Sequence, residues 1–207
     1  LVYVGTEPGR EGIWLRDLSG QCAEQRLADD PALEWPTIAP DGQSVACFRP
    51  TERNSGIFVL PISGGKGDWL VNRDERQPCY DLRTQRLLVT KNGQLWVLSG
   101  GAREQIVEER ITDAGYEHVD ASWGPGGEWV AFVGRWTDQA ANVGLLHLPT
   151  RRTIWVTEGM SAARSPVISP NGKLLAYVAA AGQGNALYLR ELRQPRRVYD
   201  PLDNYHW

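Results

Sequence analysis

The three histidines are the first candidates for chemistry, because an imidazole can carry protons or bind a metal ion near neutral pH. His118, His147 and His206 lie far apart in the sequence, and their surroundings match no zinc-binding signature. We therefore expect no metal site. His118 and His206 fall at the entry to predicted inner strands, where a ligand-binding role is the functional interpretation. His147 lies between Leu146 and Leu148, which is typical of an outward-facing strand histidine.

Motifs for covalent chemistry and for phosphate binding are incomplete. The segment 159–163 lacks the second glycine of a Gly-x-Ser-x-Gly elbow. The glycine-rich segment 63–68 has neither the spacing of a phosphate-binding loop nor a helix after it, and it is typical of a hairpin turn. The sequence contains no EF-hand calcium loop. These observations predict that the chain is not an enzyme and that it binds no cofactor.

A run of carboxylates leads into the fourth predicted inner strand, and it consists of Glu108, Glu109, Asp113, Glu117 and Asp120. The simplest interpretation is solvated loop charge. If Asp120 instead faces a central channel, the channel mouth is locally acidic and favours cationic ligands or basic peptide segments. Arg164 holds the related position in the next repeat and could pair with such an acid.

One of the nine tryptophans differs from the others in its surroundings. Trp136 lies in the polar segment 134–139, which we predict to be a loop, and it follows Arg135 directly. An exposed aromatic side chain beside an arginine is typical of protein interfaces. The alternative is a tryptophan that folds back onto the rim of its sheet. Packing between neighbouring sheets is the predicted role of the tryptophans that lie in predicted strands: Trp14, Trp69, Trp96, Trp123, Trp129 and Trp155.

The three cysteines, Cys22, Cys47 and Cys79, are an odd number without close spacing. Cys47 replaces an apolar strand residue and Cys79 follows an inner-strand proline, so both are candidates for buried thiols. Neighbouring sheets could bring these two within bridging distance, but the geometry that a disulfide needs cannot be read from sequence. Their disulfide state stays open at this point.

A repeated segment underlies the whole chain. Residues 35–48 and 165–178 match position for position around a Pro-Asp-Gly or Pro-Asn-Gly reversal, and 120–133 is a third copy. A decayed copy covers 77–89, with 82–85 in place of the turn motif, so this repeat is expected to be irregular or locally specialised. Counted at Val45, Leu88, Val130 and Leu175, the copies are about 43 residues apart.

Each repeat has room for four short strands and for no crossover helix. A small sheet of this kind cannot bury both of its faces alone, and packing such sheets around an axis solves the problem. We therefore predict an all-β protein, a β-propeller of four-stranded antiparallel blades in a single domain. A β-sandwich is the alternative, although it gives no reason for a turn motif at near-constant spacing.

The blade count depends on the two ends of the chain. The short apolar strand that follows each repeated segment occurs five times, at 13–15, 57–60, 95–98, 145–148 and 187–189. Residues 1–4 take the place of 45–48, so the chain starts within a repeat. We predict five blades at 1–30 plus 203–207, 31–73, 74–110, 115–158 and 162–200, with the first blade closed by both termini. The other interpretation is an excerpt of a larger, six-bladed ring.

The segments 169–178 and 186–189, with the turn copies at 39–42 and 124–127, resemble the TolB-like propeller repeat, a relative of the WD type. This resemblance covers essentially the whole chain. Proteins with such repeats include periplasmic docking subunits, sensor domains of membrane-anchored winged-helix regulators, and gating domains of prolyl-oligopeptidase-type serine peptidases. The resemblance therefore implies a propeller fold and an extracytoplasmic location, and it leaves the function open.

Charge and hydropathy exclude some partners. The chain has 22 basic and 25 acidic residues, a net charge of −3 and no basic block, so we expect no nucleic acid to bind. No apolar run is long enough for a membrane helix, and membrane attachment would need an anchor outside this sequence.

We expect a non-enzymatic binding or sensor module of a bacterial envelope protein or membrane-anchored regulator. It would recognise a protein or small ligand at the channel mouth or loop face through Trp136, Arg135, His118, Asp120, Arg164 and His206. One competitor is the gating domain of a serine peptidase whose catalytic domain lies elsewhere. Another is a hydrolase or lyase that uses acidic channel residues. The sequence does not indicate an oligomeric state.

Overall fold

The computed structural model describes residues 1–50, 55–72, 75–81, 83–100, 105–113, 115–137, 140–157 and 162–192. They form five antiparallel sheets, which confirms the predicted all-β class. The chain divides into two compact units, Leu1–Ala114 and Gly115–Trp207. Within the described ranges, no helix has the length and apolarity needed to cross a membrane.

The unit Leu1–Ala114 contains three sheets, each a meander of strands that follow one another in sequence. The first sheet has the described strands β1 (Val2–Gly5), β2 (Gly12–Leu15) and β3 (Gln25–Ala28). The second has β4 (Glu34–Ile38), β5 (Ser44–Arg49), β6 (Gly56–Pro61) and β7 (Asp68–Val71). The third has β8 (Arg76–Tyr80), β9 (Leu87–Lys91), β10 (Gln94–Ser99) and β11 (Val107–Arg110).

The unit Gly115–Trp207 contains the fourth and fifth sheets. The fourth has β12 (Glu117–Trp123), β13 (Trp129–Thr137), β14 (Ala140–His147) and β15 (Arg152–Trp155). The fifth has the described strands β16 (Arg164–Ile168), β17 (Leu174–Ala181) and β18 (Gly184–Glu191). The predicted strand at 197–199 and the predicted closing strand at 203–207 lie outside the described residues.

The repeated reversal forms the turn that its residue types predict. Gly42 has a φ of 67° and Gly172 a φ of 70°, in the left-handed region that glycine tolerates. Their N–H groups donate to the carbonyls of Ala39 at 2.9 Å and Ser169 at 2.8 Å. The reversal therefore joins the first two strands of the second and fifth sheets, as the motif indicates.

The third sheet uses a different turn between its first two strands. The carboxylate of Asp81, 2% exposed, accepts hydrogen bonds from the Thr84 hydroxyl at 2.6 Å, the Arg86 guanidinium at 2.9 Å and the Arg83 N–H at 3.1 Å. Burial opposes ionisation, but the hydrogen bonds from Thr84 and Arg86 outweigh it and lower the pKa of Asp81. A buried carboxylate thus holds the turn that Pro-Asp-Gly holds elsewhere.

This turn also changes the alignment of the third repeat. Tyr80 pairs with Leu87, as Ile38 pairs with Val45 in the second sheet. The structural counterpart of Val45 is therefore Leu87, and the counterpart Leu88 inferred from sequence is wrong by one residue. A shift of one position moves every side chain of a strand to the opposite face.

The core consists of layers between successive sheets within each unit. Val45 and Cys47 of β5 pack toward the first sheet, whereas Ala46 of the same strand packs toward the third. We call these two sides of a sheet its preceding face and its following face. In the other unit, Val143 and Leu145 on the following face of the fourth sheet pack against the fifth. Alternation along each strand therefore supplies two apolar faces per sheet.

The cysteines are free thiols. Cys47 is buried, Cys79 half-buried and Cys22 exposed, and burial raises the pKa of the Cys47 thiol to about 12. Of the six tryptophans expected to pack between sheets, Trp123 is buried and the other five are half-buried.

Candidate functional site

Five aromatic side chains form one cluster in the unit Gly115–Trp207, which we call the aromatic cluster: Tyr116, His118, Phe132, Trp136 and Trp155. The Tyr116 ring lies 4.4 Å from the His118 ring and 4.7 Å from the Trp136 ring, measured between centroids. Trp155 lies 4.6 Å from Trp136 and 5.4 Å from Phe132. Each distance is within the range at which aromatic pairs attract one another.

Strand alternation places these side chains on one face of the fourth sheet. Phe132 and Trp136 are four residues apart in β13, so they point to the same side. His118 is the cross-strand partner of Gly134, which lies between them on that side. The opposite side of β13 carries Ala131 and Val133, which belong to the aliphatic core shared with the fifth sheet.

Two glycines make room for the rings of the aromatic cluster. A Cβ atom at Gly134 would lie 2.6 Å from the Trp155 ring and 3.0 Å from the Tyr116 ring. A Cβ atom at Gly144 would lie 2.6 Å from the Phe132 ring. Because real Cβ contacts are not that short, the cluster depends on glycine at both positions.

Trp136 is the exposed member of the cluster. It lies in the strand Trp129–Thr137, so the predicted loop is wrong at this position. The long pairing of β13 with β14, from Trp129 opposite His147 to Arg135 opposite Ala141, extends the strand through the polar segment. Trp136 stacks on Tyr116, yet 44% of its surface stays exposed. Both interpretations of Trp136 therefore hold in part, since the side chain is packed on one side and exposed on the other.

Arg135 precedes Trp136 in β13, where the pairing of β13 with β14 becomes irregular. It is exposed, and its cross-strand partner is the exposed Glu117. Opposite charges directly across a strand pair attract each other weakly. One positive and one negative residue therefore lie opposite each other at the end of the strand pair that carries Trp136.

His118 occupies a core position of the repeat. It is 3% exposed, and the residues two positions before the bulge in the other inner strands are buried as well: Leu33, Glu75 and Ala163 at 1%, 0% and 2%. The structure brings His118 to Trp136 through Tyr116, which contacts both rings. His118 therefore packs at the buried side of the aromatic cluster and is not exposed at its surface.

Asp120 contacts the residue that follows Arg164 at a second place in this unit. Asp120 has a φ of 49° at a β-bulge of β12, and the neighbouring bulge residue Ser165 has a φ of 50°. The Ser165 N–H donates to the Asp120 carboxylate at 3.2 Å. Arg164 precedes Ser165 and is exposed. His206 lies outside the described residues.

Tyr116 and Trp155 are part of the cluster, but sequence reasoning did not select them as site residues. The available signal was the alternation of Phe132, Gly134 and Trp136, since a glycine between two aromatics in a strand leaves space for a neighbouring ring. Within the described ranges, no three His, Cys, Asp or Glu side chains are grouped as metal ligands. The cluster is suited to apolar and stacking contacts.

No family model and no curated protein sequence matches this chain. Solved structures do. TolB from Acinetobacter baumannii superimposes with a TM-score of 0.79 at 22% identity, over 92% of this chain and 48% of that one. A putative TolB from Agrobacterium tumefaciens gives 0.69 at 17% identity, over 87% and 70%. Puromycin hydrolase gives 0.63 at 14% identity, over 93% and 34%.

The chain thus spans about half the length of the Acinetobacter baumannii protein. Identities of this size report a shared fold. Together with the five antiparallel sheets, they confirm the β-propeller class and the resemblance on which the repeat motifs were interpreted. The fold of this chain is that of the TolB-like β-propellers.

Proposed function

We propose that the chain is a non-enzymatic propeller module that binds a partner protein through the exposed side of the aromatic cluster. The observation that carries the proposal is Trp136, which is 44% exposed while Tyr116 and Trp155 hold its ring from within the sheet. A tryptophan fixed in this way binds with little loss of side-chain freedom, which is a property of interface hot spots.

The partner segment would place an apolar side chain on the indole and polar groups near Arg135 and Glu117, both exposed beside it. An extracytoplasmic location and a sensor role belong to the same proposal, and the TolB-like fold supports them. Asp120 and Arg164 form a separate, more polar place for contact on this unit.

The test is a photo-crosslink in cells. A benzophenone amino acid replaces Glu117, and the crosslinked partner is identified by mass spectrometry and purified. Its affinity for the Trp136→Ala chain should fall at least about tenfold, as expected for a hot-spot tryptophan. The matched control is Trp35→Ala, because Trp35 is exposed to a similar degree, 42%. Equal losses for both variants, or no crosslink that depends on Trp136, would contradict the proposal.

Two enzymatic alternatives have a clear discriminating result. The likeness to puromycin hydrolase supports a gating propeller, and then an α/β-hydrolase sequence would accompany this chain in the full-length protein. A hydrolase or lyase that uses channel carboxylates would lose its turnover in Asp120→Asn. If the wild-type chain binds its partner and shows no enzymatic turnover, the result favours the non-enzymatic binding module.

A further inference from the structure

A crevice of about 160 Å³ lies between the second and third sheets of the unit Leu1–Ala114. Val59 and Leu70 of the second sheet and Leu98 of the third give it an apolar lining. Asp41 and Tyr80 line it with polar atoms, and the exposed Asp41 marks its solvent side. Ser44 and Gln85 add further polar side chains, so the lining is mixed and suits a small ligand that has both a polar group and an apolar body.

At the edge of this crevice the third sheet lacks a side chain that the second and fifth sheets carry. Leu60 and Leu98 occupy the same place in β6 and β10, so the residues two positions further on, Ile62 and Gly100, are equivalent. Ile62 packs against the apolar layer between the first two sheets. Leu192, at the equivalent position of the fifth sheet, packs against the apolar layer between the fourth and fifth sheets. Gly100, in contrast, has no side chain to pack into the layer between the second and third sheets.

The backbone keeps this space open. Gly100 has a φ of 110°, and a Cβ atom there would lie 2.5 Å from the carbonyl oxygen of Gln105. No other residue fits at this position without a shift of the chain. Ile62 and Leu192 provide an aliphatic side chain at the equivalent positions of two other layers, and Gly100 provides none.

The divergent turn of the third repeat adds to the same crevice. Tyr80 and Gln85, which flank the turn built on Asp81, both line it. Two departures of the third sheet from the repeat, Gly100 and the turn at Asp81, therefore both lie at this crevice. Packing of the fold explains neither, because the second and fifth sheets close the equivalent space with a side chain.

The polar end of the crevice favours a positive charge. Asp41 is the charged side chain among the described residues that line it. Its carboxylate accepts the N–H of Gln43 at 2.9 Å, which fixes it in the turn. Burial and the nearby charge of Asp41 both raise the pKa of Tyr80, so the phenol stays protonated and can hydrogen-bond to a ligand.

We propose that this crevice binds a small ammonium ion with a branched aliphatic body the size of a leucine side chain. The aliphatic body would replace the side chain that Gly100 lacks, and the ammonium group would lie against Asp41 and Tyr80. The proposal is independent of partner binding by the aromatic cluster, because the crevice residues all belong to the unit Leu1–Ala114.

The test uses three probes with the same branched body, followed by amide NMR shifts of the whole chain. Isoamylamine, isoamyl alcohol and isovalerate differ chiefly in the charge of the head group. The amine should cause saturable shifts around Ser44, Leu98 and Gly100, with a dissociation constant on the order of 1 mM for so small a ligand. The alcohol should bind at least about fivefold more weakly, since it lacks the charge, and isovalerate should not bind.

Two variants separate the charge from the cavity. Asp41→Asn keeps the oxygen that accepts the hydrogen bond in the turn. It should weaken the binding of isoamylamine at least about fivefold and leave the affinity for isoamyl alcohol unchanged. Leu70→Trp should fill the crevice and remove the shifts of both probes. Asp29→Asn, a change at another carboxylate outside the crevice, is the matched control and should change nothing. Equal binding of the three probes, unchanged amine affinity in Asp41→Asn, or no saturable shift would overturn the proposal, and none of these outcomes needs a variant with an altered core.

Discussion

The fourth and fifth sheets carry equivalent aliphatic residues on their following faces, but their burial differs completely. Val143 and Leu145 of β14 are 0% and 4% exposed. Their counterparts in β18, Leu187 and Leu189, are each 68% exposed. The pairing is the same, since Ala131 lies opposite Leu145 as Ala176 lies opposite Leu189. The same local structure is therefore core in one sheet and surface in the next.

A repeat therefore does not determine burial on its own. A strand with two apolar faces needs a neighbour on each side, and the fifth sheet covers the following face of the fourth. Stability measurements on matched substitutions test this contrast, because the residues differ in burial and little in chemistry.

The largest expected effect comes from truncating the matched leucines. Leu145→Ala should lower the free energy of unfolding by about 2 to 5 kcal/mol, because it opens a cavity in the layer between the two sheets. Leu189→Ala should change it by less than about 0.5 kcal/mol, as for other exposed positions. Denaturant titration of the whole chain measures both. A similar loss in the two variants would mean that the face of the fifth sheet is covered in solution.

A smaller effect is expected from adding one methyl group to a glycine of each sheet. Gly134→Ala should destabilise the chain by about 1 to 3 kcal/mol, because the new Cβ atom would meet the Trp155 ring. Gly184→Ala is the matched control, since a Cβ atom there would have no neighbouring atom within 4 Å. It should be neutral or slightly stabilising. Near-ultraviolet circular dichroism should change in Gly134→Ala alone, and a silent spectrum would count against a tightly packed aromatic cluster.

The smallest effect on stability should come from charging the exposed face. Leu187→Glu combined with Leu189→Glu should leave the free energy of unfolding within about 0.5 kcal/mol and raise the solubility limit of the chain, because the change removes apolar surface and moves the net charge of −3 further from zero. Asn185→Glu adds negative charge on β18 without removing apolar surface, and should raise solubility less. Solubility in polyethylene glycol compares these variants with the wild-type chain, and an equal gain in both would show that net charge alone is responsible.

Much of the fold follows from local chemistry in the sequence. The Pro-Asp-Gly and Pro-Asn-Gly reversals predict the turns after β4 and β16, because glycine at the third position accepts a positive φ. Alternating apolar residues predict the strands around them. Where the turn chemistry changes, at Asp81, the prediction fails by one residue, and Leu87 takes the place expected for Leu88.

The candidate site was predictable only in part. The exposed indole of Trp136 was selected from its polar neighbours, but its strand, its contact with Tyr116 and the support from Trp155 depend on pairing with β12 and β14. His118 was selected as a candidate ligand-binding residue, and its burial comes from the core position that Leu33 and Ala163 share. The crevice at Gly100 had no sequence signal, since its meaning comes from the equivalent Ile62.

The repeat length, the turns and the alternation of apolar residues can be read from the sequence, because each of these depends on the conformational preferences of a few neighbouring residues. Which faces are core, which indole is exposed and which layer keeps an open space follow from tertiary packing. Those outcomes depend on whether a second sheet lies within contact distance of the first, and sequence-distant residues such as Leu145 and Leu175 meet only when the sheets pack.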